Sequence, residues 1–238
     1  MSDGNAEQRP PAERLLDAAL VHVPFDGWSE ATLAAGARDA GIDIARARAL
    51  FPQAGVDLAA AFHRRGDAAM AARLRGADLS ALRYSERVAE AVKIRLEVAG
   101  DREAVRAACA LFALPPNAPR GARLIWGTAD AIWNALGDGS DDINWYSKRA
   151  ILSGVYGSAV LYWLGDKSEG DADTRAFIDR RIENVMQFEK VKTRVRANPV
   201  LGRLLAVPEA FLGRIKAPSG HRRDDLPGHW NEEAQEGK

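Results

Sequence analysis

The stretch LLDAALVHVPFDGWSEATLAAGARDAGIDIARARALFP, residues 15–52, decides the fold of this chain. Before the FDGW break, leucine, alanine and valine recur at helical spacing and predict a helix over 13–23. After the break, Ser29 is placed to cap a second helix, and Asp43 is placed to cap a short third helix that stops before Pro52. A long helix over 55–74 follows. This part of the chain is therefore predicted to be a cluster of four helices.

The order of helix, break, helix, AG turn, short helix and long helix resembles the helix-turn-helix head of TetR-type proteins, and it predicts such a head over 13–75. A DNA-reading helix needs donors for phosphates and base edges, which Arg46 and Arg48 could supply. Residues 1–75 contain nine arginines, no lysine and ten carboxylates, which leaves a formal charge of −1. A DNA-binding head and a retained scaffold that packs on the body are both open, and the charge favours the scaffold.

The rest of the chain also has helical periodicity, which predicts an all-α fold with a helical body over 76–197. Asp173 is placed to cap the last helix of this body, over 174–196. Residues 150–164 form a run without charge. As a helix this run would be about 22 Å long, shorter than the bilayer core of about 30 Å. It must be buried by protein, by a partner subunit or by an apolar ligand. A tight helix contact and a lipid-facing wall remain alternatives, and both hold if a dimer seam lies beside a cavity.

The residues predicted to contact a lipid share an apolar or small side chain on this helix or the one before it. They are Trp126, Ala150, Ser153, Gly154, Gly157 and Leu161.

The sequence NPVLGRLLAVPEAFLGRIKAP near the end of the chain is amphipathic and cationic. Such a helix suits the membrane interface, and residues 198–216 are predicted to form a membrane-binding helix. The alternative is a helix docked on the body's own core. Residues 1–12 and 217–238 are predicted to be disordered tails. The predicted membrane-binding residues are Leu201, Arg203, Leu204, Leu205, Phe211, Leu212, Arg214, Ile215 and Lys216.

The sequence offers no catalytic constellation. None of the four histidines forms an H-E-x-x-H or E-x-x-H motif, and there is no GxSxG, P-loop or GxGxxG sequence. The acidic turn at 137–142 lacks the spacing of a calcium-binding loop. The single cysteine, Cys109, excludes a disulfide and is predicted to be a small buried residue. These observations predict a binding protein that is not an enzyme, with no catalytic residue, no metal and no cofactor.

The central stretch AIWNALGDGSDDINWYSKRAIL, residues 131–152, joins an acidic glycine turn to two aromatic and two basic residues. It predicts a compact recognition surface. Trp133, the GDGSDD turn and the NWYSKR sequence at 144–149 together resemble the signature of the ubiquinone (coenzyme Q) biosynthesis lipid-binding accessory protein family. The resemblance extends over roughly 13–196.

The resemblance implies a TetR-like homodimer without DNA-binding use, a body that holds an isoprenoid quinone intermediate or phospholipid, and a terminal helix on the membrane surface. It implies that the protein presents the quinone to the demethoxyubiquinone hydroxylase. The partner-binding surface of the family falls on Trp145, Tyr146, Arg149 and Ile132. The alternative function is a TetR-type transcriptional repressor with a lipophilic ligand.

The first twelve residues are polar and proline-rich, without a signal peptide or presequence. Mitochondrial members of the family carry a presequence, so the resemblance implies a bacterial member. The expected location is the cytoplasm, with peripheral association with the inner membrane.

Overall fold

A computed structural model describes residues 9–140 and 143–197, apart from the side chains of residues 143 and 186–197. These residues form ten α-helices and no strand, which confirms the predicted all-α fold. The helices are α1 (Pro11–Leu20), α2 (Val23–Asp26), α3 (Glu30–Asp39), α4 (Ile44–Leu50), α5 (Gly55–Gly76), α6 (Tyr84–Glu97), α7 (Arg102–Ala113), α8 (Ala118–Ala135), α9 (Ile143–Gly165) and α10 (Ala172–Ala197).

Side-chain caps define the starts of several helices. The Ser29 hydroxyl accepts a hydrogen bond from the Thr32 amide at 3.2 Å, at the start of α3. The Asp43 carboxylate accepts one from the Ala45 amide at 2.8 Å, at the start of α4. Each bond satisfies an amide that has no partner inside its helix. Both predicted caps are therefore confirmed.

Two predicted boundaries are wrong for local reasons. The helix expected over 13–23 is divided into α1 and α2, with Pro24 in the first turn of the second, where a missing amide hydrogen costs nothing. Asp173 was expected to cap the last helix, but it lies inside α10. Asp166 takes this role instead, because its carboxylate accepts hydrogen bonds from the Thr174 amide and hydroxyl at 2.9 and 2.5 Å.

The described helices enclose two hydrophobic cores that share α5 and α7. The head core lies among α1 to α5 and includes Leu15, Trp28 and Leu58. The body core lies among α5 to α10. The Trp28 Nε1 atom donates to the Ala104 carbonyl at 2.9 Å, so α7 is tied to the head although it follows the predicted head in sequence. Helix α5 contributes residues to both cores and makes the head continuous with the body.

Within the described residues, none of the helices has both the length and the apolar composition needed to cross a bilayer. The predicted membrane-binding helix over 198–216, with the nine residues named for it, lies outside the described residues.

We predict that Gly55→Ala destabilises the protein by about 2 kcal/mol or more, because overpacking of a tight site typically costs about 1–3 kcal/mol. A Cβ atom at this position would lie 2.1 Å from the Trp28 carbonyl oxygen, and that backbone cannot move away cheaply. Gly76→Ala at the other end of α5 is the matched control, since a Cβ there meets nothing within 4 Å. Urea unfolding should show the loss for the first variant only, and equal stabilities would contradict the packing of α5 on the head.

Candidate functional site

A cavity of about 740 Å³ lies between the head and the body. Helices α5 to α9 all contribute to its wall, which is mainly apolar and includes Val105, Phe112, Leu124, Ile125 and Val160. The exposed residues Ala69, Ala122 and Leu161 also line it, so the cavity opens to the surface. Its size falls within the range of about 300–1,000 Å³ that is typical of small-molecule sites.

One side of the cavity wall is polar. His63, Arg95 and Tyr156 line the cavity, and Asp67 and Thr128 connect them. The Arg95 Nε atom donates to the Asp67 carboxylate at 2.7 Å, and the Thr128 hydroxyl donates to the same carboxylate at 2.8 Å. The His63 Nε2 atom lies 2.8 Å from the Thr128 oxygen. We call these five residues the cavity polar cluster.

Burial changes the proton affinity of two members of the cluster. It lowers the pKa of His63 to about 4, against an opposing contribution from the Asp67 carboxylate, so the imidazole is neutral near pH 7. Burial likewise raises the pKa of the Tyr156 phenol above its ordinary value. Within the cluster, Arg95 is the cation, and it is already paired with the Asp67 carboxylate. A second lining arginine, Arg65, is paired with Asp17.

The residues predicted to contact a lipid are divided by the structure. Gly157 and Leu161 line the cavity. Ala150 and Gly154 lie on the exposed side of α9, and Ser153 lies outside the cavity with its hydroxyl buried and unpaired among the described residues. The remaining one, Trp126, belongs to the aromatic surface described next. Cys109, expected to be a small buried residue, is half-buried and lines the cavity, and burial raises the pKa of its thiol.

Three aromatic rings lie together where α8 passes the first turn of α9. The Trp126 and Trp145 ring centroids are 6.0 Å apart, and the Trp145 and Tyr146 rings meet edge to face at 4.8 Å. All three side chains are half-buried. Such edge-to-face pairs are favourable because the positive edge of one ring meets the negative face of the other. We call this trio the aromatic surface.

The buried Arg149 side chain packs beneath the aromatic surface and contacts Trp145. Its guanidinium carbon lies 3.9 Å from the Trp145 ring centroid, in a cation–π contact. Its Nε atom donates to the Asp130 carboxylate at 2.6 Å, and its Nη1 atom donates to Asp138 at 3.3 Å. The Asp138 carboxylate also accepts from the Lys148 ammonium at 2.7 Å. Burial opposes the ionised form of Asp138, but the hydrogen bonds from Lys148 and Ser140 lower its pKa overall.

This network changes the expected recognition surface. Arg149 is 1% exposed and Ile132 is 0% exposed, so neither can touch a partner directly in this structure. The acidic turn and the basic pair bond to each other because the turn folds Asp138 back over the start of α9. The structure leaves Trp145, Tyr146 and the exposed Asn144 at the surface, with Arg149 and Ile132 as supports beneath them.

The aromatic surface and the cavity polar cluster lie at different levels of α9. Trp145 precedes Tyr156 by eleven residues, which is roughly 16 Å along a helix axis. Helix α8 links the two regions, because Ile125 lines the cavity and its neighbour Trp126 contacts Trp145.

The sequence prediction missed the cavity polar cluster. His63 and Asp67 are four residues apart on one helix face. Arg95 follows Val88 and Val92 at helical spacing, so a charged side chain falls on an apolar stripe. A charge at such a position needs a buried partner, and this signal could have identified the pair.

The head contains α4 in the place of a DNA-reading helix. The Arg48 guanidinium is paired with Glu30 at 2.8 Å, whereas no ion pair of Arg46 is found among the described residues. Elsewhere in the described chain, no group of three or more His, Cys, Asp or Glu side chains is arranged to hold a metal ion.

Comparison with known proteins places these features in one family. Residues 118–189 match the COQ9 family model, and residues 12–38 match the model of the N-terminal domain of ubiquinone biosynthesis protein COQ9. The mitochondrial COQ9 protein of Xenopus tropicalis is 32% identical over 194 residues, which cover 78% of this chain and 61% of the relative. The chain belongs to the COQ9 family.

Other COQ9 proteins match this chain with similar identity. The Drosophila melanogaster protein is 31% identical, and the match covers 74% of this chain and 55% of that protein. The human protein is 29% identical, and the match covers 77% of this chain and 60% of that protein. The names of these relatives describe mitochondrial ubiquinone biosynthesis proteins. The chain spans about three-fifths of the length of the COQ9 relatives first matched.

The helical fold has a solved counterpart. A TetR transcriptional regulator from Nitrosomonas europaea superposes with a TM-score of 0.59 at 18% identity, over 74% of this chain and 97% of that protein. This likeness concerns the fold, and it confirms that this COQ9-family chain has the predicted TetR-like architecture.

Stability should depend on the protonation of His63. Its pKa is lowered from 6.5 in the unfolded chain to about 4 in the folded protein, so the unfolded state binds more protons between these values. The contribution is present above pH 6.5 and is lost as the pH falls towards 4. We expect the free energy of unfolding to fall by about 2 kcal/mol from this group between pH 7 and pH 5.

Urea unfolding of the wild type and of His63→Gln at pH 7 and pH 5 measures this contribution. The variant should be less sensitive to pH by that amount. Identical pH dependence in the two proteins would show that the imidazole is not buried in its neutral form.

Proposed function

We propose that this protein is a non-enzymatic accessory protein of ubiquinone biosynthesis that holds an isoprenoid quinone intermediate in the cavity. The main support is an apolar-walled cavity of about 740 Å³ in a chain of the COQ9 family. A polyprenyl tail is nearly insoluble in water, and burial of its carbons contributes about 0.8 kcal/mol for each CH₂ group. Mass spectrometry of organic extracts of gently purified protein tests the proposal. An isoprenoid quinone or its precursor is expected, and repeatedly lipid-free protein would count against it.

We further propose that the protein passes this intermediate to the demethoxyubiquinone hydroxylase, which docks on the aromatic surface. Half-buried tryptophan and tyrosine side chains are the residue types that dominate protein interfaces. The network around Arg149 keeps Trp145 in place before a partner arrives, so little side-chain entropy is lost on binding.

The docking proposal predicts that Trp145→Ala weakens binding of the hydroxylase by about tenfold or more, the effect of removing a central aromatic residue from an interface. Phe25→Ala is the matched control, because Phe25 is an aromatic residue of the head that is 86% exposed. Affinity measured by titration should fall for the first variant only, and the amount of co-purified lipid should stay the same in both. Unchanged affinity for Trp145→Ala would exclude this docking surface.

We propose peripheral association with the inner membrane from the cytoplasmic side, through residues 198–216. The support is the sequence, in which leucine and phenylalanine recur at the spacing of an amphipathic helix and six basic residues occur over 192–216. Replacement of Leu204, Leu205 and Phe211 by serine should abolish flotation with anionic liposomes. Replacement of the exposed Val21 by serine is the control, and flotation that survives the triple change would end the membrane proposal.

The exposed side of α9 supports a homodimer. Ala150, Gly154 and Leu161 share that side at helical spacing, and Leu161 is 67% exposed. Small residues allow a second helix to approach closely.

The near-neutral charge of the head and the Arg48–Glu30 pair give little support to the alternative function, a DNA-binding repressor.

A further inference from the structure

The cavity polar cluster is a set of buried polar groups in a wall that a lipid tail would not need. Arg95 is 3% exposed, yet it lines the cavity together with His63 and Tyr156. A buried charge is costly even when paired, and apolar residues of similar volume often replace such pairs without loss of stability. The packing of α5, α6 and α8 alone therefore does not explain why these polar residues line the cavity.

The Tyr156 hydroxyl forms a hydrogen bond with Thr128, and two other atoms of the cluster are available to a ligand. The Arg95 Nε atom donates to Asp67, and one Nη2 hydrogen is donated to the His63 carbonyl at 3.0 Å. Among the described residues, the Nη1 group of Arg95 has no hydrogen-bond acceptor. Arg95 lines the mainly apolar cavity, so a ligand oxygen there could accept a hydrogen bond from this group.

The second available atom is an acceptor. The Thr128 hydroxyl has one hydrogen and donates it to the Asp67 carboxylate at 2.8 Å, because a carboxylate can only accept. The Thr128 oxygen must therefore accept from His63, which places the hydrogen of the neutral imidazole on Nε2. The Leu124 carbonyl, which also forms a hydrogen bond with His63, can only accept and therefore takes the same Nε2 hydrogen, which leaves the Nδ1 atom as an acceptor.

The backbone leaves room for this arrangement. A Cβ atom on Gly66 would lie 2.7 Å from the guanidinium carbon of Arg95. Only a glycine on α5 therefore allows the guanidinium to lie against the helix at the cavity wall. The charge of Arg95 is balanced by Asp67, so the cluster offers a donor and an acceptor with no surplus charge for an anion.

We propose that Arg95 and His63 form a subsite for the hydroxyl group of a phenol or hydroquinone ring carried by the bound lipid. The proposal rests on the lipid-holding function proposed above. A ring hydroxyl accepts a hydrogen bond from Arg95 Nη1 and donates one to His63 Nδ1, so it uses both available atoms. A quinone carbonyl or a phosphate ester can only accept, and it leaves the imidazole nitrogen without a partner.

Three probes with the same ten-carbon tail test this subsite: 4-decylphenol, decylbenzene and decyl phosphate. Their dissociation constants are measured by displacement of a fluorescent fatty acid from the delipidated full-length protein. We expect 4-decylphenol to bind about tenfold more tightly than decylbenzene or more, because it alone makes both hydrogen bonds. Decyl phosphate should bind more weakly than the phenol.

Variants then assign the preference to the cluster. His63→Leu removes the acceptor, and Arg95→Lys keeps a cation for Asp67 but removes the Nη1 group. Gly66→Ala displaces the guanidinium and leaves every polar group in the chain. Each should bring 4-decylphenol towards the affinity of decylbenzene. Val160→Ala, a change in the apolar wall, should weaken both probes equally. Circular dichroism identifies any variant that fails to fold, and the wild-type comparison needs no variant.

The outcomes separate this inference from the function on which it rests. Equal binding of 4-decylphenol and decylbenzene to the wild type would overturn the subsite while the lipid cavity stands. Tighter binding of decyl phosphate than of the phenol would also overturn it, in favour of an anion site. Failure of all three probes to bind would overturn both proposals. A preference for the phenol that survives in all folded cluster variants would remove Arg95 and His63 from the site.

Discussion

The buried ion pair between Arg95 and Asp67 is the interaction on which the cavity depends. It joins α5 to α6, and the Thr128 hydroxyl extends it to α8. Helices beside a cavity lack packing atoms on one side, so dispersion forces hold them less firmly than helices in a filled core. The hydrogen bonds of the Asp67 carboxylate with Arg95 and Thr128 are directional, and they hold the three helices in place. Removal of one partner would leave a buried charge uncompensated, which typically costs about 3–5 kcal/mol.

A second buried guanidinium has the same effect at the start of α9. Arg149 binds Asp130 on α8 and Asp138 in the following turn, so the angle between the two helices is fixed by charge-assisted hydrogen bonds. Trp145 then lies on the guanidinium face with its ring held at the surface. The two buried arginines thus have different roles. Arg95 holds the helices around the cavity, and Arg149 holds the aromatic surface.

Local signals in the sequence predicted most of the helices, because caps and apolar periodicity depend on residues within one or two turns. Ser29 and Asp43 are examples. The family signature includes Trp145 and Tyr146 but not the third ring of the aromatic surface, Trp126, which was expected to contact a lipid. The misjudged residues depend on contacts between helices. Arg149 was expected at the surface but is buried, because its partner Asp138 reaches it only after the turn has folded back. The role of Gly66 could not be foreseen, because it depends on a guanidinium from another helix.

Helix α9 explains how the apolar run over 150–164 can be apolar on nearly all sides. One side packs in the body core through Val155 and Ala159, a second faces the cavity through Gly157, and a third is exposed at Gly154. The three sides of α9 therefore have different surroundings, and none of these surroundings requires a charged side chain. The same helix places the aromatic surface roughly 16 Å from Tyr156. A ring bound at the polar cluster would be separated by about this distance from an enzyme docked at Trp145. Holding and transfer of the lipid would therefore require two positions of the ring within one protein.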